Sequence, residues 1–321
     1  MKHLLILFSW LLLSPVISGQ INQKTITKIE KYPRTFDHYE SLADKIKTDF
    51  KSDESRAAAI FTWMAKNIAY DISAYSSRKS QSISFTYSSQ AEKEQKERAI
   101  QERLASQTLT SRKAVCQGYA ELYRLLCLAC DIECVTVSGF SKTTPQDIGK
   151  KLIRPDHAWN AVKLNQKWYL LDVTWAAGSV NNNVFEPEFT PHYFKTPPER
   201  FFLNHYPENE EWRLTSKTKS DFIKLPLFYS AYFKSPIQVT KPQSGLITQA
   251  KGGQIKVEII TKEPLGRFSY KYSDERYMKK AEGTRKGNKL ILNMACPKQK
   301  NGYLDIIFDA ETIVTYQLKV R

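Results

Sequence analysis

Histidine and cysteine are both scarce, with five of each among 321 residues. Few histidines make the search for a general base short. Five is an odd number, unusual for a disulfide framework, although four could pair were the fifth a free thiol. At this length the chain buries a core large enough to need no such staples and has room for two domains of ordinary size. There is no internal repeat and no low-complexity tract. Past the first twenty residues no segment is apolar enough to span a bilayer. Acids are also few beside bases, 33 Asp and Glu against 48 Lys and Arg, which leaves a net charge of +15. The bases are scattered, and no helix gathers them on one face with aromatics interleaved for stacking. That excludes nucleic acid as the expected partner and reads mainly as solvated surface. An anionic envelope surface is the acidic partner that the charge leaves open.

The N-terminus reads MKHLLILFSWLLLSPVISGQ: one lysine, an apolar run, then small residues around Ser18 and Gly19. This is the pattern of a secretory signal peptide over residues 1–19, and it predicts an exported chain. No cysteine lies in the cleavage region, so no lipid anchor is expected.

Ser52 followed by Asp53 and Glu54 predicts a helix start, and Ala57, Ile60, Phe61, Met64 and Ile68 repeat at helical spacing on one face. Residues 91–104 pair Glu92 with Lys96 and Glu94 with Arg98, as a solvated helix does. The Ser-rich stretch between them, residues 76–90, predicts a surface loop or flap. After Cys116 the stripe Tyr119, Leu122, Tyr123, Leu126 and Ala129 predicts another helix, followed by a strand ending at Gly139. HAWNAVKLNQKWYLLDVTW predicts two strands joined by the two-residue turn Asn165-Gln166. The Pro- and aromatic-rich segment 181–212 has no clear period. Near Pro236 the character changes to short alternating β runs (QIKVEII, RFSYKYS, KLILNMA, GYLDIIFD, TIVTYQLKV), which predict a small antiparallel sandwich. The expected division is residues 20–232 as an α+β unit and 233–321 as the sandwich.

A thiol becomes a catalytic nucleophile when it has a stabilised anion, a base, and a group that orients the base. Cys116 opens a predicted helix, where free amides favour negative charge and can hold an oxyanion. Cys127, Cys130 and Cys134 fall where stripe and strand are buried, so packed thiols are expected there and no metal site. Among the histidines, His3 lies in the leader, and His38, His192 and His205 sit in helix or Pro-rich contexts with no strand carboxylate nearby. His157 differs. With Asn165-Gln166 as the turn, Leu164 faces Lys167, Trp159 faces Asp172 and His157 faces Thr174. Asp172 then shares a sheet face with His157, one diagonal step away, close enough to orient its imidazole.

VCQGYAELYRLLC, HAWNAV and WYLLDVTW resemble the three motifs of the transglutaminase-like superfamily, nearest the branch that includes kyphoscoliosis peptidase and related cytokinesis proteins. RAAAIFTWMAKNIAYD and PPERFFLNHYPENEEW are similar to that branch as well, so the resemblance covers roughly residues 35–230. It implies a papain-like transglutaminase core, α+β, followed by the small antiparallel β-sandwich. It also implies Cys116 as nucleophile, its backbone N–H as one oxyanion donor, His157 as base and Asp172 as orienter. Gln117, Gly118 and Trp159 are the expected cleft residues. Ala114 departs from the family's usual glycine, and a second oxyanion donor is not assigned. The expected substrate is a peptide or protein, attacked through a thioester without cofactor or metal. Hydrolysis is favoured over cross-linking because no calcium loop is evident. The rival reading is an exported, non-catalytic binding or adhesion module that uses the same groove.

Overall fold

The structure is a computed structural model that describes residues 21–77, 86–249, 252–296 and 301–320. The leader expected over residues 1–19 and most of the expected Ser-rich flap lie outside the described residues.

The Asp53–Asn67 helix begins as expected: Ser52 and Ser55 exchange backbone and hydroxyl hydrogen bonds in a reciprocal cap. It is buried from Ala57 to Ala65 rather than along one stripe. Three successive alanines let the Gln23–Ile29, Tyr39–Asp49 and Cys116–Ala129 helices pack closely around it. The Gln90–Ser111 helix runs further than its charged pattern predicts, because Ala105, Thr108 and Leu109 carry its last turns into the core. Lys96 pairs with Glu92 on its exposed part at 2.7 Å.

A four-stranded antiparallel sheet stands against the Cys116–Ala129 helix, in the order Lys167–Leu171, His157–Leu164, Cys134–Ser141, His205–Pro207. The Cys134 strand runs past Gly139 to Ser141, because its far end pairs with the His205 strand. Only glycine fits at 139: a Cβ there would meet Trp159 Cη2 at 2.3 Å and the Tyr206 carbonyl at 2.4 Å. The hairpin register is the expected one, Leu164 opposite Lys167, with Asn165 (φ 50°) and Gln166 (φ 61°) both left-handed as a type I′ turn needs. The ladder stops three pairs sooner than expected, at Asn160–Leu171. Trp159–Asp172 and His157–Thr174 do not pair. Asp172 instead accepts the Trp175 N–H on Oδ1 at 3.0 Å and caps the short Val173–Ala177 helix, and a cap residue ends the strand it follows. The stretch read as irregular contains a second hairpin, Gly178–Asn181 with Val184–Pro187, turning at Asn182-Asn183 (φ 50° and 59°).

The C-terminal strands form two sheets. One runs Gln238–Lys241, Gln254–Ile260, Lys289–Ala295, Glu282–Lys286. The other runs Leu246–Gln249, Glu311–Val320, Gly302–Phe308, Phe268–Tyr272, Lys279–Lys280. Ile255, Val257, Ile259, Leu290 and Leu292 from one sheet and Leu304, Ile306, Val314 and Tyr316 from the other are buried in one apolar cluster, as alternation requires. One pair departs from the antiparallel pattern, since Leu246–Gln249 runs parallel to Glu311–Val320. Ahead of the sandwich, Leu227–Phe228 also pairs with Glu311–Val320. Lys142, buried beyond the Cys134 strand, donates to the carbonyls of Asp147, Ile223 and Leu225 and ties that connection to the sheet.

Candidate active site

Cys116 is the first residue of its helix, after the extended Val115. Three polar anchors fix where that helix begins. Tyr119 Oη donates to the Ile68 carbonyl at 2.6 Å and Tyr123 Oη to the Ala57 carbonyl at 3.2 Å. From the sheet, Asn160 Nδ2 donates to the carbonyls of Ala120 at 2.9 Å and Val135 at 3.2 Å. Small side chains at Ala120 and Ala158 let the helix start touch the His157 strand, with Cys116 packed between them. Gly118 serves this close fit: a Cβ would meet Thr108 Oγ1 at 2.4 Å and Ala114 Cβ at 2.8 Å.

His157 begins its strand with Nε2 2.6 Å from Asp172 Oδ2. A carboxylate only accepts, so Nε2 carries the proton and Nδ1 is the nitrogen left for proton exchange with the Cys116 thiol. Burial alone would lower the His157 pKa, but Asp172 and then Cys116 outweigh it and push it up to about 10. Burial likewise pushes the Asp172 carboxyl up. His157 and His205 reverse that and hold it well below the usual carboxylate range.

His205 stands on this carboxylate too, its Nε2 3.0 Å from Asp172 Oδ2. This overturns the expectation that no carboxylate lies near it. The residues are 33 positions apart, and only the pairing of the His205 strand with the far side of the sheet brings them together. No local spacing in the sequence signals it. His157, Asp172 and His205 have their ligand-capable atoms within 4.8 Å of one another, a grouping that could hold a metal ion. The contacts of 2.6 and 3.0 Å suit hydrogen bonds better, because two donors on one zinc stand roughly 3.3 Å apart.

Cys116, 9% exposed, and His157 meet at the side of a cleft of about 920 Å³. Tyr70, Tyr75 and Trp175 line it, the Gly178–Pro187 hairpin forms one wall, and Glu311 and Thr312 of the sandwich reach another. Gln117, Gly118 and Trp159 are not among the lining residues. Gln117 donates along the helix to Glu121, Gly118 faces the neighbouring Gln90–Ser111 helix, and Trp159, 1% exposed, lies under His157 with ring centroids 5.9 Å apart. Cys127, Cys130, Cys134 and Cys296 are buried free thiols. Burial, and then the neighbouring Cys134, pushes the Cys127 thiol well up, while burial and Cys127 push Cys130 up to about 12.

Residues 40–173 match the family model of the transglutaminase-like superfamily, so this segment carries a domain of that kind. The chain is similar to kyphoscoliosis peptidase from Mus musculus, 28% identical over 216 residues. That match covers 66% of this chain and 30% of the relative, so the chain spans less than a third of that protein's length. Hillarin from Drosophila melanogaster is 30% identical over 134 residues, 37% of this chain and 16% of its own. Among solved structures, the periplasmic domain of TgpA from Pseudomonas aeruginosa is 18% identical over 48% of each chain, with a TM-score of 0.29. Among the described residues no helix is long and apolar enough to cross a membrane.

Proposed function

We propose that the chain is an exported thiol enzyme that transfers acyl groups from peptide or glutamine carboxamide bonds, with water as the usual acceptor. The observation that supports this best is the convergence of Cys116, at a helix start, with an imidazole whose far nitrogen is held by a buried carboxylate, beside an open cleft. The Cys116 thiolate attacks the carbonyl carbon, and the negative charge that develops on oxygen is met by the Cys116 backbone N–H at the helix end. The His157 imidazolium gives its Nδ1 proton to the departing amine, which leaves a thioester on Cys116. His157, now neutral, takes a proton from water as that water attacks the thioester; the acid product leaves and the thiolate is restored. A lysine amine in place of the water would give a cross-link by the same steps. The leader-like N-terminus supports export, and the net charge of +15 suits an anionic envelope surface.

The test is to incubate the protein with a peptide library and read products by mass. Cleaved peptides, absent with Cys116→Ala, support the reading, whereas ammonia release with amine incorporation means cross-linking. A Cys116 thiol that alkylates only in denaturant, with no change in any peptide, points instead to a binding module.

A further inference from the structure

We propose that His205 is a positioning residue for this site: through the Asp172 oxygen that it shares with His157, it sets the orientation and protonation of the His157 imidazole. The inference rests on the thiol–imidazole reading above and adds a residue lying outside the segment 40–173 that matches the family.

Three donors converge on the Asp172 carboxylate. Oδ1 takes the Trp175 N–H at 3.0 Å, and Oδ2 takes His157 at 2.6 Å and His205 at 3.0 Å. Both imidazoles therefore present Nε2–H to one oxygen. A second donor on Oδ2 does two things. It stops the carboxylate turning about its Cβ–Cγ bond, which fixes the plane in which His157 is held. It also draws charge from the oxygen, so the pull on the His157 proton is moderated.

The donor is itself rigid. The His205 ring stacks on Phe201, centroids 4.0 Å apart at 19°, and lies 4.3 Å from Trp175 and 5.1 Å from Trp159. Burial, more than any partner, lowers its own pKa, and the nearby His157 charge adds to that, so it stays a neutral donor at neutral pH. The charged and titratable groups facing it are Asp172 and His157, with Phe201 presenting only a carbonyl. Around Asp172 the phenols of Tyr70, Tyr119 and Tyr193 are all raised, by burial first, and stay neutral over the working range. A buried histidine serving only to fill space would not need its Nε2 on the oxygen that holds the base.

Two substitutions separate these roles. His205→Phe keeps the ring stack and removes the donor, while His205→Gln keeps a donor and removes the ring. The reading is the rate of Cys116 alkylation by iodoacetamide as a function of pH, together with kcat/KM on a cleaved peptide. We expect His205→Phe to slow both on the order of 10- to 100-fold, the range found where an outer partner fixes a histidine. Its alkaline limb should move upward, because an Asp172 oxygen freed of one donor holds the His157 imidazolium more tightly. His205→Gln should recover most of the loss. A folded His205→Phe with the wild-type alkylation profile overturns the proposal, and so does a Gln variant impaired as badly as Phe with neither limb moved. Nitrogen NMR of histidine-labelled intact protein reads the same point without substitution. A neutral His205 carrying its proton on Nε2 from pH 5 to 8 supports the role, and a proton on Nδ1 alone overturns it. Should the protein cleave no peptide, the alkylation profile still reports the His205–Asp172–His157 coupling, so the two readings fail separately.

Discussion

At the scale of single residues the site makes sharp demands. Cys116→Ala should abolish turnover, and Asp172→Asn should keep the fold while losing activity on the order of 10³–10⁴-fold, measured as kcat, since an amide cannot hold the imidazole in the same tautomer and charge state. The sign of the pH dependence follows from the raised His157 pKa, near 10 against 6.5 for the free side chain. The imidazolium that protonates the leaving amine persists through neutral pH and is lost only as pH climbs toward 10. The alkaline limb of kcat/KM should lie there rather than near 7. The stabilisation tied to the His157 charge is complete below 6.5 and fades as pH rises through the folded value, so the excess stability of wild type over Asp172→Asn should narrow between those limits in denaturant titrations. Cys116, His157 and Asp172 could be proposed as neighbours from the sequence because a helix start and a two-residue turn leave local marks. His205 could not, because its contact with Asp172 depends on which distant strand closes the sheet.

Among the elements, the His157 hairpin and the cysteine helix carry the most weight. Gln166 adopts φ 61° in a turn that favours glycine at that position. Gln166→Gly should therefore stabilise the protein by roughly 1 kcal/mol, seen as a higher melting temperature with Cys116 alkylation unchanged. Gly118→Ala should act the other way. Its Cβ would press on Thr108 Oγ1 and Ala114 Cβ, costing roughly 1–3 kcal/mol and pushing the helix start away from His157, so the melting temperature and the alkylation rate should fall together. Asn165-Gln166 was readable as a turn, and the register followed from it. The early end of the second strand was not, because Asp172 suits a strand face and a helix cap equally well until Tyr193 takes its N–H with the carbonyl at 3.0 Å. The Gly178–Pro187 hairpin was missed although its signal, consecutive asparagines between two valines, stood in plain view at residues 180–184.

For the molecule as a whole, the β runs after Pro236 announced a sandwich, and their alternation placed its inward residues well. The parallel seating of Leu246–Gln249 was hidden, because pairing direction leaves no mark in a four-residue strand. We propose that residues 20–232 are the catalytic unit and 233–321 a separate domain. Limited proteolysis should then cut near residue 233 and release two fragments that each stay folded; a single resistant body, with packing shared across Leu227–Phe228 and its partner strand, would refute the division. The sandwich does reach the cleft, through Glu311 and Thr312. We propose that a thiol at the side of a cleft walled from both halves of the chain admits a thread more readily than a rounded surface. An enzyme of this shape would ignore a neighbour that keeps its compact form and act on tails, long loops and chains already coming apart. What it cuts would then be decided less by side-chain chemistry than by how much slack the other molecule offers.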